Sequence, residues 1–345
     1  LTVFPHLPSL AQEPQSSRYS KLNSLLELLE SNNKFMGAVA VSKDGKIVFE
    51  EQYGMTSKDG TFGKQPNAET QYRIGSITKV FTAVMIMQLI EEEKLSLDDK
   101  LSQFFPVIEN ADQISIRHML GHQSGIGSLT SDPTLMNWYK EPQTREQMMR
   151  IIARQPKRFD PGEKTEYSNS NFVLLGYIIE HVTDEGYEDQ LQSRICDRIG
   201  LEHTSYMTKA DAAKNVTISF GWTGDEWQVE DETDPSIPHG AGAIMSTPGD
   251  LTRFADALFG GKLVTSASLK EMTPAGMGMG RGLAAFPFGT KRALGHNGGI
   301  DGFQSNLGHF RQDGVSVAVI GNGVNYRFND LMIGLLSIVF DRPYA

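Results

Sequence analysis

Near each end of the chain an Asp-Gly pair stands between two runs of strand-forming residues. Residues 35–42 and 47–53 flank Asp44-Gly45, and residues 306–311 and 315–320 flank Asp313-Gly314. Asp and Gly reach the positive backbone angles of a tight turn at low cost, so each pattern predicts an antiparallel hairpin. A helix is expected before the first hairpin, where Leu22, Leu25, Leu26 and Leu29 recur at i, i+3, i+4 and i+7. A last helix, with Leu331, Leu335, Ile338 and Val339 on one side, follows the second. Between them, from about residue 76 to 235, the pattern reads mostly as helices and loops. This predicts an α+β chain: an antiparallel sheet flanked by helices and built from both termini, with an inserted all-helical domain. The expected division is an arm at 1–19, a sheet-plus-helix domain at 20–75 and 236–345, and a mainly helical domain at 76–235.

Composition removes several classes of function. The 345 residues carry 32 Lys plus Arg against 42 Asp plus Glu, a net charge of −10, which repels phosphate backbones and anionic lipid heads. No nucleic-acid partner is expected. The apolar stretch 80–90 is interrupted by Thr82 and Gln88 and is far shorter than the roughly 20 residues of a membrane span. The single cysteine, Cys196, excludes an internal disulfide framework and a multi-cysteine metal site, and is expected to be a buried structural thiol. Residues 1–19 support two readings. Ser9-Leu10-Ala11 before Gln12-Glu13-Pro14 has the small-x-small pattern of a signal-peptidase site, which implies an exported, periplasmic or extracellular protein. Pro5, Pro8 and Pro14 with Ser16 and Ser17 equally suit a flexible arm. The acidic run Asp225, Glu226, Glu230, Asp231, Glu232 and Asp234 lacks metal-ligand spacing and reads as a solvated loop.

Chemistry concentrates in three short segments. In Arg73-Ile74-Gly75-Ser76-Ile77-Thr78-Lys79 the serine and lysine are three apart, so on a helix their side chains meet. A serine hydroxyl is a weak nucleophile until a neighbour takes its proton, and Lys79 serves only when neutral. Bringing its pKa from about 10.4 to near 7 costs about 4 kcal/mol. The positive end of a helix and the apolar neighbours Ile77, Val80, Phe81 and Val84 both push that way. A serine at a helix start also aims its own N–H at the reacting carbonyl, half of an oxyanion hole. The second segment, Tyr167-Ser168-Asn169 ahead of an apolar helix at 172–182, could aim a phenol and an amide into one cleft, or simply pack. The third, Gly295-His296-Asn297-Gly298-Gly299, has the glycine density that lets a strand approach a ligand closely, or that makes a mere turn.

In this order the three segments resemble the serine beta-lactamase and penicillin-binding-protein-like superfamily, in its class C beta-lactamase, D-alanyl-D-alanine carboxypeptidase and esterase branch. Further likeness runs from about residue 20 through 95–101, 116–126 and 242–251. The resemblance implies a cleft between the sheet and the helical domain. It makes Ser76 the acylated nucleophile, Lys79 its proton partner and Tyr167 the acid/base. Asn169 then binds the substrate's acyl-side amide, His296, Asn297 and Gly298 line the opposite wall, and the N–H of Gly299 joins that of Ser76 in the oxyanion hole. The substrate implied is a small molecule or a peptidoglycan-like peptide ending in a D-amino acid, or an ester, with neither cofactor nor metal.

One departure bears on substrate. Efficient class C enzymes usually have Lys-Thr-Gly on this strand, where His296 stands here, and a histidine is mostly neutral at pH 7. Strong beta-lactamase activity is therefore not expected; a peptidase or a carboxylesterase/transesterase is. Met277, Met279, Phe286 and Phe288 favour the esterase if they line the cleft mouth, and otherwise belong to the core. A penicilloyl-binding sensor or scaffold without turnover, and a noncatalytic self-assembling relative, are the competing classes. His118 and His122 stand four apart but lack the glutamate of H-E-x-x-H, and no G-x-S-x-G, Walker loop or G-x-G-x-x-G occurs.

Overall fold

A computed structural model describes residues 15–57, 65–211 and 214–343. The export-signal pattern within residues 1–14 lies outside the described residues. Residues 15–19, grouped above with the arm, are instead the first turns of a helix, α1 (Gln15–Ser31). It leads into strands β1 (Phe35–Lys43) and β2 (Lys46–Tyr53). The central helices are α2 (Thr78–Glu91) and α3 (Asn169–Thr183), followed by α4 (Pro248–Phe259). The chain then returns to strands β3 (Ala284–Phe288), β4 (Lys291–Ile300), β5 (Phe303–Phe310) and β6 (Val315–Val324), and closes with α5 (Phe328–Val339).

Both hairpins form, by different turns. Asp44 and Gly45 have φ of 51° and 77°, the doubly positive two-residue turn that suits the strand twist. The second loop has four residues between the paired Phe310 and Val315: Asp313 N–H donates to Phe310 O at 2.9 Å, and only Gly314 is left-handed, at 61°. The two turns touch, with Asp44 N–H donating to Gly314 O at 2.8 Å. Their contact follows from the sheet order β2-β1-β6-β5-β4-β3, in which β1 pairs antiparallel with β6 from Ala38–Ile320 to Lys43–Val315. The first and last strands of the chain are thus neighbours at the centre of one sheet.

Both faces of that sheet are covered, which is why β1 is buried along its whole length except Lys43. Val39, Val41, Val317 and Val319 point outward and pack under Leu22 and Leu26 of α1 and Leu331 and Leu335 of α5. Ala38, Ala318 and Ile320, one position out of phase, face the main core with Leu251 and Phe254 of α4. Two serines join α4 to the sheet, Ser42 and Ser316 each donating to a different oxygen of Asp256 at 2.7 and 2.5 Å. The helix α2 runs through the middle, buried on every side from 78 to 89, with Phe81 stacked on Phe254. Cys196 is buried as expected, its Sγ 3.5 Å from Thr204 O.

The stretch 205–229 departs from the helical reading. Ser205–Tyr206 pairs with Ile244–Ser246 in a small second sheet, Phe220–Trp222 joins β6 in parallel at Gly323, and Trp227–Val229 pairs with Phe220–Trp222. Short aromatic runs about Gly224, at φ 115°, form a hairpin that a helix-period search passes over. Among the described residues no helix is long and apolar enough to cross a membrane. Leu335 is fully buried beneath the sheet while Leu28 of α1 is 60% exposed. Leu335→Ala is therefore expected to cost about 2–5 kcal/mol, read as a lower urea midpoint, whereas Leu28→Ala should leave that midpoint nearly unchanged.

Candidate active site

Ser76 sits on a single 3-10 turn, Gly75–Ile77, that opens directly into α2. The turn is pinned from both sides. Ile74 N–H donates to Ile244 O at 3.1 Å and Ser305 Oγ donates to Ile74 O at 2.8 Å. Just before it, the buried Arg73 guanidinium pairs with Asp301 at 2.7 Å and with Glu232 at 3.2 Å. Gly75 takes φ of 50°, and a Cβ there would lie 2.7 Å from Gly299 N. A Cβ on Gly298 would lie 2.1 Å from Ile74 O and 3.0 Å from Ser76 N. Only glycine lets the backbone at 74–76 and that of β4 come this close, and the close approach puts the amides of Ser76 and Gly299 on one side of the serine.

Three side chains converge on this point. Tyr167 Oη donates to Ser76 Oγ at 2.7 Å, and Lys79 Nζ lies 3.0 Å from the same oxygen. Lys79 Nζ also donates to Asn169 Oδ1 at 2.8 Å and to Ala241 O at 2.6 Å. Asn169 begins α3, its N–H bound to Ser128 Oγ and its Nδ2 donating to Thr130 Oγ1, each at 3.1 Å. Complete burial drives the Lys79 ammonium well below the usual lysine range. Burial likewise pushes the Tyr167 phenol up to about 12, against a smaller opposing effect of its hydrogen bond to Ser76. Both shifts favour the uncharged form. A neutral Lys79 amine has two N–H bonds and one lone pair; the N–H bonds match Asn169 Oδ1 and Ala241 O, leaving the lone pair for the Ser76 hydroxyl.

The histidines act differently from their sequence readings. The helix Ile116–Leu120 stops before His122, so His118 and His122 do not share a helical face. His118 closes a capping box with Ser115. His122 accepts the N–H of Ser168 on Nδ1 at 3.1 Å and lies against the Tyr167 ring, centroids 4.5 Å apart. Burial, and then the nearby Lys79, lower it to about 3, so it holds the tyrosine as a neutral ring. His296 is also buried, its Nδ1 turned onto Asn297 O and its ring 6.2 Å from that of Tyr167. Burial and Lys79 bring it to about 4. It does not line the cavity beside Ser76. Asn297, next along the strand, points to the opposite sheet face. There it borders a separate cavity of about 310 Å³ with Gly298, Phe286, Phe288 and Phe328.

Ser76, Asn169 and Gly299 open onto a cavity of about 360 Å³ whose apolar side includes Leu129, Ile237 and Pro238. Its opposite side comes from the acidic run, for Glu230, Asp231 and Thr233 line it as well. The expected solvated loop is thus a wall of the site. Met277 and Met279 are exposed and Phe286 and Phe288 pack toward the outer-face core, none of them lining this cavity. The esterase argument built on them falls away. Sequence reasoning also missed Ala241, whose contribution is a carbonyl and leaves no side-chain signature; the run of small residues in His239–Gly242 was the available signal.

Comparison with known proteins agrees with the fold. Over 261 residues the chain is 26% identical to the teichoic acid D-alanine hydrolase of Staphylococcus aureus (strain MRSA252), covering 75% of this chain and 60% of that protein. The chain therefore spans about 60% of the length of that relative. It is 25% identical over 297 residues to the putative penicillin-binding protein PbpX of Bacillus subtilis (strain 168), covering 84% and 71%. Among solved structures, D-amino acid amidase from Ochrobactrum anthropi SV3 complexed with L-phenylalanine amide aligns with a TM-score of 0.79 at 27% identity, over 93% of this chain and 99% of that one. The D-stereospecific amidohydrolase from Streptomyces sp. aligns with a TM-score of 0.72 at 29% identity, over 90% and 95%. The profile of one family matches residues 27–334, a span that holds all three catalytic-type segments and the whole sheet, and the chain belongs to the Beta-lactamase family.

Proposed function

We propose that the protein is a metal-independent serine hydrolase that works through an acyl-enzyme on amides, peptides or esters of D-amino acids. The observation that carries this reading is the convergence of Lys79 Nζ and Tyr167 Oη on Ser76 Oγ, at 3.0 and 2.7 Å, beside a cavity. The names of the D-alanine hydrolase and of the D-amino acid amidase support the substrate class. An exported location belongs to the same proposal and rests on the pattern at Ser9-Leu10-Ala11.

In the proposed cycle, neutral Lys79 takes the hydroxyl proton as Ser76 Oγ attacks the substrate carbonyl. The oxyanion accepts hydrogen bonds from the N–H groups of Ser76 and Gly299. Tyr167 gives its proton to the leaving nitrogen or oxygen, and the proton held by Lys79 restores the phenol. Water then attacks the ester, losing its proton to the same pair, and Ser76 Oγ departs with a proton regained. Asn169 keeps the amine aligned and presents its Nδ2 beside Thr130 on the acyl side.

An anionic acyl group is disfavoured by charge. Among the described residues no lysine or arginine lines the cavity, and carboxylates do, so a carboxylate on the acyl portion has no cation to meet there.

Ser76→Ala should abolish covalent labelling by a fluorophosphonate, checked by intact mass; undiminished labelling would overturn the assignment. Tyr167→Phe should lower kcat by on the order of 10² or more, measured on an activated amide, with the hydrophobic packing against His122 preserved. The neutral amine is the active form, so kcat/KM should rise with pH through a limb set by Lys79, well below the ordinary lysine range. His122 and His296, at about 3 and 4, stay neutral above pH 5 and contribute no limb there. A limb in the ordinary lysine range, at about pH 10, would remove a buried neutral Lys79 from the role of base.

A further inference from the structure

The cavity beside Ser76 is bordered by carboxylates that differ in one respect. Asp231 is paired with Lys140 Nζ at 2.9 Å. Asp301 and Glu232 both serve the Arg73 guanidinium, and Asp301 also accepts from Thr233 N and Oγ1. Asp234, next to the wall, accepts from Ser236 N and Oγ at 3.0 and 2.6 Å. Glu230, which lines the cavity itself, has neither a cation nor a hydrogen-bond donor on its carboxylate among the described residues.

Yet its side chain is placed. Its own N–H donates to Ser219 O at 3.0 Å, and the neighbouring Ser219 Oγ accepts from Gly302 N at 3.0 Å. A Cβ on Gly221 would come within 2.0 Å of Glu230 Oε1, and one on Gly302 within 3.0 Å of its Cγ. The carboxylate therefore lies in a berth left open by two glycines, at the edge of the catalytic cavity. Tyr167 does not line that cavity. Since Tyr167 protonates the leaving group in the proposed cycle, the leaving group sits on its side of Ser76, and the acyl part of the substrate occupies the cavity that Glu230 faces.

From this geometry we infer that Glu230 is a specificity-determining residue, the counter-ion for an ammonium carried on the acyl portion of the substrate. The inference rests on the serine-hydrolase reading and adds to it a charge requirement: an acyl group bearing a free amine, such as an unblocked amino acid, is preferred over its neutral counterpart. Glu230 is exposed at the edge of the cavity, and its carboxylate, with no cation paired to it among the described residues, attracts such a cation and accepts its N–H bonds.

The test uses two fluorophosphonates of equal chain length, one ending in a primary amine and one in a methyl group. Each phosphonylates the serine, the Oγ–P bond forming as the P–F bond breaks and fluoride leaves, while the serine proton passes to Lys79. The expected result is that the cationic probe labels the full chain about tenfold faster, and that raising NaCl from 20 to 500 mM shrinks the ratio. Glu230→Gln should bring the ratio close to one. Gly221→Ala, which displaces the carboxylate without removing it, should lower the ratio as well. Equal rates for the two probes in the unsubstituted protein, or a preference that survives Glu230→Gln, would overturn the inference while leaving the hydrolase reading intact. Labelling by neither probe would overturn both.

Discussion

Everything at the site depends on burying one lysine. Lys79 is fully enclosed within a helix that is itself buried on every side, and the amine has three neighbours placed to receive it: Ser76, Asn169 and Ala241. They come from three places in the chain: the turn that opens α2, the start of α3, and the short helix His239–Gly242. A buried ammonium is costly, and the lower-cost solution is to give up the proton. The same enclosure raises the phenol of Tyr167, so one desolvated pocket favours the uncharged form of both groups, the forms that the proposed base and acid need. No dedicated charge is needed to tune either one; the packing of α2 against α3 and the 239–242 segment does it.

That packing holds only if the serine turn is fixed relative to the sheet, and a chain that forms its sheet from both termini has a particular means of doing so. The pairing of β1 with β6 joins the two ends of the chain in one sheet. Arg73, just before the Ser76 turn, reaches across to Asp301 in the turn after β4, and also meets Glu232 and the Thr233 and Thr208 carbonyls. This ion pair is buried, so its worth lies less in net stability than in registering the two backbones that supply the Ser76 and Gly299 amides. The glycines at 75 and 298 are the steric condition for the same approach.

The parts of this arrangement that were legible in the sequence share a property: each is encoded locally. The hairpins follow from the backbone preferences of Asp-Gly, and α1 and α5 from an apolar stripe. Ser76 and Lys79 meet because three residues on a helix bring them together, although the serine itself is on a 3-10 turn. Tyr167 and Asn169 were placed through likeness to known motifs, not through spacing. What was not legible depends on tertiary register. His296 and Asn297 are adjacent, so they must face opposite sides of β4, and nothing in Gly-His-Asn-Gly-Gly says which side meets Ser76. In the structure neither lines the cavity: His296 is buried with its Nδ1 on Asn297 O, and Asn297 faces away. His122, weighed as half of a metal pair, supports the tyrosine instead, since the helix ends two residues before it.

The acidic run shows how the same limit affects a reading of function. By composition 225–234 is a polar loop, and a polar loop is ordinarily left to solvent. Its position is set instead by a short hairpin added to the sheet beyond β6, which swings residues 230–233 over the mouth of the cleft. Once there, its carboxylates divide by what else they meet. Those near Arg73 and Lys140 are spent on structure, and Glu230, lying over two glycines, is not. The chain's negative net charge, which at first only argued against polyanions, thereby acquires a location. Part of it faces the place where an acyl group would lie, and a wall of that sign disfavours an acyl group that carries a carboxylate for the same electrostatic reason that it favours an amine.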